Sequence, residues 1–167
     1  MANGRKPTDM LKEEHQHVLK KLDTLEQIIS ALGKKEAISD ELRELASFFK
    51  TDFWVHFTKE EEALFPEIEQ FMPREGGPTG MMLIEHEDLR NTNKGLQRAV
   101  DEYLSNSDSV EIKQMIREYG SNFIGVLRQH IDKEDNMLFM MADMHLDEAQ
   151  TDKVTKLFHE IEKEDGN

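Results

Sequence analysis

The sequence predicts an all-α protein: an up-down-up-down antiparallel four-helix bundle with a short C-terminal fifth helix. Three observations lead there. Apolar residues recur at spacings of three and four along four long stretches, and no stretch shows the alternation of a strand. The connections are also short, which makes sequential helices antiparallel neighbours. At 167 residues the chain is about the size of one ordinary domain, so residues 1–167 are expected to fold as a single unit.

In the first stretch, positions 11, 15, 18, 22, 25, 29 and 32 are apolar or His and form one seam. Asp9 is placed to cap its start and Gly33 its end. His15 lies in the seam, whereas His17 falls on the opposite side and is expected to be exposed. A second helix is expected from about Ser39 to near Gln70, with Leu42, Leu45, Phe49, Phe53, His56, Glu60 and Leu64 on one stripe and Pro66 kinking or restarting it. The Pro- and Gly-rich run from Pro73 to Gly80 then divides the chain into halves of about 9–72 and 80–141.

The third helix, about Gly80 to Leu104, carries Met82, His86, Leu89, Asn93, Leu96 and Val100 on its stripe. The fourth, about Ser109 to Met141, carries Ile112, Met115, Tyr119, Phe123, Val126, His130, Glu134 and Met137. Asp147 reads as the cap of the fifth helix, about 147–164, with Val154, Leu157, Phe158 and Ile161 as its apolar contacts.

The two halves share a ten-residue pattern. His56-Phe-Thr-Lys-Glu60-Glu-Glu-Ala-Leu-Phe65 and His130-Ile-Asp-Lys-Glu134-Asp-Asn-Met-Leu-Phe139 agree at five of ten positions. In each, a His precedes a Glu by four residues, which puts imidazole and carboxylate on one helical face, a metal-ligand geometry. Each copy also follows a lone Glu-His far upstream, Glu14-His15 and Glu85-His86. In an antiparallel bundle the starts of helices one and three lie beside the ends of two and four, so six candidates converge on one layer: His15, His56, Glu60, His86, His130 and Glu134. Without a cation, burying them together would be costly.

Four imidazoles and two carboxylates suit two divalent ions, with His15 and His56 on one, His86 and His130 on the other, and Glu60 and Glu134 bridging. Such donors fit iron, and also manganese or zinc, and two His per metal leave room for a small exogenous ligand. His145 and His159 lie outside the repeat and read as surface residues. The methionines at 137, 140, 141 and 144 read as core filling.

Composition narrows the function further. With no cysteine, a disulfide scaffold, a thiolate zinc site, an iron-sulfur cluster and a cysteine nucleophile are excluded. A formal charge of -14 argues against nucleic-acid and anionic-membrane partners. The opening Met1-Ala-Asn-Gly-Arg-Lys-Pro-Thr-Asp9 has no apolar run after its basic residues and no later stretch reaches membrane-span length, so a cytoplasmic protein is expected.

Glu-His, His-x-x-x-Glu followed by Leu-Phe-Pro, Glu-His and His-x-x-x-Glu, in this order, resemble the hemerythrin-like, or HHE cation-binding, proteins. The resemblance covers nearly the whole chain. It implies a four-helix bundle around an oxo- or hydroxo-bridged di-iron centre that meets dioxygen, nitric oxide or peroxide, with ligand roles at the six residues above. Oxygen-carrying hemerythrins resemble this chain but have a further His one turn from the lone His of the third helix, where Met82 and Arg90 stand here. They also carry an Asp five residues after the last ligand His; here Glu134 stands at four and Asp135 at five, with Glu61 and Asp135 as alternative ligands. The expected function is binding or sensing of a small oxidant or gas. The alternatives are a di-iron redox enzyme acting on peroxide or nitric oxide or repairing iron centres, and an iron-responsive interaction protein.

Overall fold

The structure is a computed structural model that describes residues 5–105 and 109–165; Met1–Gly4 of the opening segment read above lie outside them. The described residues are helical with no strand. Helix α1 (Pro7–Ile29) starts earlier than Asp9. Proline suits a first turn because its missing N–H has no partner there. Asp9 lies inside the helix, its carboxylate accepting from the Lys6 N–H at 3.3 Å. The helix ends at Ile29, and Gly33 follows in the turn.

The expected second helix is built in pieces: α2 (Lys35–Lys50), α3 (Asp52–Lys59), a π-helical turn at Glu60–Leu64 and α4 (Phe65–Ile68). Thr51 leaves helical geometry at φ -127°, ψ -74°. The Phe49 carbonyl at this break accepts from Trp54 Nε1 at 2.8 Å and Asn93 Nδ2 at 2.9 Å, so side chains replace the ladder. No proline or glycine marks the break.

Helix α5 (Pro78–Ser105) follows, then α6 (Val110–Lys133), a second π turn at Glu134–Leu138 and α7 (Phe139–His145). The Ser109 hydroxyl caps α6 by accepting from the Ile112 N–H. Both π turns begin at the Glu of His-x-x-x-Glu, and the Phe65 and Phe139 N–H groups reach back five residues to the Glu60 and Glu134 carbonyls. Only the first is followed by a proline, so Pro66 is not the common cause.

The stripes of the first three predicted helices are buried as expected. The fourth is out of phase. Met115, Tyr119 and Met137 are exposed, and Ile116, Gly120 and Leu127 take the inner face with Ile112, Phe123 and His130. Gly120 is the reason: a Cβ there would stand 2.4 Å from Ile29 Cδ1, so the smallest residue admits α1 where apolarity alone favoured Tyr119. Met137, Met140 and Met144 are exposed too, against the core-filling expectation, because they lie on the outward side of the second π turn and α7.

Two apolar clusters flank the polar layer. The larger includes Val18, Phe53, Phe57, Leu89, Phe123 and Leu127; the smaller includes Leu11, Leu64, Phe65, Met82, Leu138 and Phe139. Helix α8 (Glu148–Asp165) starts with reciprocal bonds between Asp147 and Gln150 and closes the smaller cluster with Val154 and Phe158, both fully buried. Leu157 and Ile161 pack at its edge. Phe158→Ala is expected to lower stability by about 3 kcal/mol, read from the midpoint of urea unfolding. An unchanged midpoint would show that α8 does not brace the bundle.

Candidate metal centre

Helical spacing delivers six polar side chains to the layer between the two clusters. His15 and His86 come from early in α1 and α5, His56 and His130 from the ends of α3 and α6, and Glu60 and Glu134 from the first residues of the π turns. All are buried, His56 being the most accessible at 5 %. His17, His145 and His159 are exposed, as expected.

The six residues form two overlapping donor groups, His15, His56, Glu60 and Glu134, and His86, His130, Glu60 and Glu134. Within the first, the Nε2 atoms of His15 and His56 are 2.9 Å apart; within the second, those of His86 and His130 are 3.1 Å apart. Glu60 spans the groups, with Oε2 3.1 Å from His56 Nε2 and Oε1 3.1 Å from His86 Nε2. Glu134 does the same, Oε1 lying 3.1 Å from His15 Nε2 and Oε2 3.2 Å from His130 Nε2. Glu60 Oε1 and both Glu134 oxygens have no aligned hydrogen-bond donor, although buried.

The outer ring nitrogens explain what the inner ones face. Each Nδ1–H donates to a carboxylate: His15 to Asp135 at 2.7 Å, His56 to Glu14 at 2.8 Å, His86 to Glu61 at 2.7 Å and His130 to Glu85 at 2.8 Å. With the proton held there, a neutral ring turns its Nε2 lone pair inward. Two lone pairs at 2.9 Å repel unless a proton or a cation lies between them. Carboxylate partners also fix ring orientation and raise the basicity of a ligating imidazole.

Those outer carboxylates are held in turn. Lys59 Nζ lies 2.6 Å from Glu14, Lys133 pairs with Glu85, and Arg90 Nη2 is 3.0 Å from Glu61. Glu61 and Asp135, read above as alternative ligands, thus contact the Nδ1 side of the rings rather than the shared inner space. The roles of Glu14, Glu85, Lys59, Lys133 and Arg90 were missed in the sequence reading. The signal was present, since the Glu of Glu-His recurs and Lys is one of the five identical positions of the repeat.

The electrostatics follow. Burial opposes charge on the rings, but the carboxylates outweigh it, raising His56 to about 10, His86 to about 11 and His130 to about 9, with His15 also raised. Burial likewise opposes charge on Glu14 and Glu134, yet His56 and Lys59 draw Glu14 down to about 2, and His130, His15 and His86 draw Glu134 well below the usual range. The carboxylates of Glu60, Glu134 and the outer ring outnumber the cations Lys59, Lys133 and Arg90 beside them, an excess of negative charge that cations in the centre would balance. Aromatic rings wall the layer: Phe57 stacks on His86 at 3.7 Å between centroids, and Phe139 on His15 at 5.6 Å.

No described helix is long and apolar enough to cross a membrane. Two curated relatives match part of the chain, both named iron-sulfur cluster repair protein YtfE. That of Enterobacter sp. (strain 638) is 27% identical over 109 residues, 65% of this chain and 50% of the relative. That of Musicola paradisiaca (strain Ech703) is 32% identical over 92 residues, 54% of this chain and 41% of the relative. The chain therefore spans half or less of the length of these relatives. No solved structure matches it. The family model of the hemerythrin HHE cation binding domain matches residues 6–142, which include all six inward donors and the four carboxylates behind them. The chain belongs to the hemerythrin HHE cation-binding family.

Proposed function

We propose that this protein is a non-heme di-iron protein that binds or senses a small oxidant or gas such as dioxygen or nitric oxide. The carrying observation is the doubled Nε2 pair with one oxygen of Glu60 and one of Glu134 turned toward each. His15 and His56 would hold one iron and His86 and His130 the other, with Glu60 and Glu134 each offering one oxygen to either pair. Zinc suits the same donors but not this task, since it has no redox chemistry, and manganese suits both. A pair of iron ions would supply one-electron redox chemistry and open coordination positions. Two divalent ions would balance the excess negative charge of the layer.

The chain's own residues do the rest. Glu14, Glu61, Glu85 and Asp135 orient the four rings and hold their Nδ1 protons. Phe57, Phe65 and Phe139 limit water around the rings. The bundle is read as up-down-up-down within one domain, supported by early residues of α1 and α5 meeting the ends of α3 and α6. A second reading is a di-iron redox enzyme that acts on peroxide or nitric oxide or repairs damaged iron centres, the last favoured by the two relatives named as iron-sulfur cluster repair proteins.

Protein produced with iron is expected to hold two iron ions per chain, and its anaerobically reduced form to change colour with dioxygen or nitric oxide. A stable adduct supports the first reading and rapid catalytic loss of peroxide the redox alternative; fewer than two metals per chain overturns both. His130→Ala is expected to lose one metal and His17→Ala none, read by metal analysis. Equal losses would mean that the rings facing inward are not the ligands.

A further inference from the structure

The two halves of the repeat support their lysines differently, and α8 makes the difference. Lys133 pairs with Glu85 while its side chain stays 38 % exposed. Lys59, at the matching position, is only 4 % exposed and is held from two sides, by Glu14 at 2.6 Å and by Glu162 of α8 at 2.5 Å. Its ammonium also lies 5.8 Å from the centre of the Phe158 ring. Helix α8 lies beyond the residues matched by the family model, which end at 142. The symmetry of the repeat is thus broken by an element outside the matched residues.

We infer that Glu162 is a positioning residue of the centre: by pinning Lys59 it fixes Glu14 on the Nδ1–H of His56, and so controls the His15–His56 metal position without touching a metal. The inference rests on the two-metal reading above. A free lysine ammonium has many rotamers, and a single carboxylate partner leaves most of that freedom. A second carboxylate across it removes that freedom, so Glu14 holds one orientation. The carboxylate behind a ligating imidazole sets ring direction and ligand strength, and its loss typically costs about 10- to 100-fold in metal affinity.

The location adds a second effect. A pocket of about 320 Å³, lined partly by Val18, Lys21 and Phe53, reaches Glu14, His56 and Lys59. Lys59 forms part of its wall, and His56 is the most accessible of the six donors. Releasing Lys59 from α8 loosens that wall where an external chelator would arrive. The His86–His130 position has no such connection to α8, because Lys133 has no carboxylate of that helix beside it among its described ion pairs.

The test uses the full chain loaded with iron. In Glu162→Ala, release of one metal per chain to a strong chelator is expected to be about tenfold faster, with release of the other unchanged. Glu160→Gln, an exposed change on the same helix, is expected to match the wild type. Glu162→Asp is expected to recover part of the slow release, and melting of the metal-free forms to stay alike, which separates positioning from loss of α8. Equal acceleration of both metals, or unchanged release of both, overturns the inference.

A metal-independent measurement keeps the two proposals apart. In the metal-free chain, the proton on His56 Nδ1 is expected to exchange faster with solvent in Glu162→Ala than in the wild type, while that on His130 is unaffected. Wild-type protein that takes up no metal pair sinks the two-metal reading, and the ring-proton exchange then decides the role of Glu162. Unchanged exchange at His56 overturns it.

Discussion

Glu134→Ala is expected to empty both metal positions, whereas His56→Ala empties one. Glu134 is fully buried and offers one oxygen to His15 and the other to His130, so it serves both pairs. Its loss removes a donor from each position and a negative charge from the middle of the layer. The effect should exceed the roughly 100-fold that loss of an outer partner can cause. Iron content measured after passage through a weak chelator reads it directly. The competing possibility is that Asp135, one residue on, turns inward and takes over. Its bond to His15 Nδ1 opposes this, because turning would release the ring that it holds. Retention of both metals by Glu134→Ala, and their loss in the double variant with Asp135→Ala, would show that the takeover occurs. Retention of one metal would assign Glu134 to a single position.

Much of this was legible in the sequence because the relevant physics is local and periodic. The stripes of the first three predicted helices place His15, His56, Glu60 and His86 inward, since a helical residue's face is set by its spacing from apolar neighbours. Their convergence was expected from the rule that long helices with short connections pack antiparallel. The fourth helix shows the limit. There the inner face is chosen by the close approach of α1 to Gly120, a property of two elements together, and no count of apolar residues in one helix contains it. The break at Thr51 is likewise tertiary, being sustained by Trp54 and by Asn93 from α5. The π turns too were hidden, although they begin at the Glu of each repeat and place consecutive carboxylates on opposite nitrogens of one imidazole, Glu60 and Glu61 on His86 and Glu134 and Asp135 on His15. The ring of outer carboxylates was recorded in Glu-His and in the repeated Lys, but contacts across helices were required to give it a role.

Metal uptake is expected to strengthen steeply with pH, and the metal-free protein to weaken over the alkaline range. Both follow from rings whose protons are held more tightly in the fold than in the unfolded chain, where a histidine titrates near 6.5. His130 is raised to about 9, His56 to about 10 and His86 to about 11. Protonated rings therefore stabilise the metal-free fold fully below about pH 6.5, and that contribution is lost as pH rises through about 9 to 11. They act as the cations between Glu60 and Glu134, and a metal must displace their protons. If loading the pair releases two protons, its apparent affinity changes by about a hundredfold per pH unit, since each proton contributes about tenfold. Competition with a chelator of known pH dependence, between pH 6 and 9, measures that slope. The melting temperature of the metal-free chain should fall from pH 7 to 11, while the loaded chain, whose rings have no proton to lose at Nε2, stays nearly level. A flat profile for the metal-free chain, with affinity independent of pH, would mean that the rings are already neutral and that something other than their protons separates the facing nitrogens.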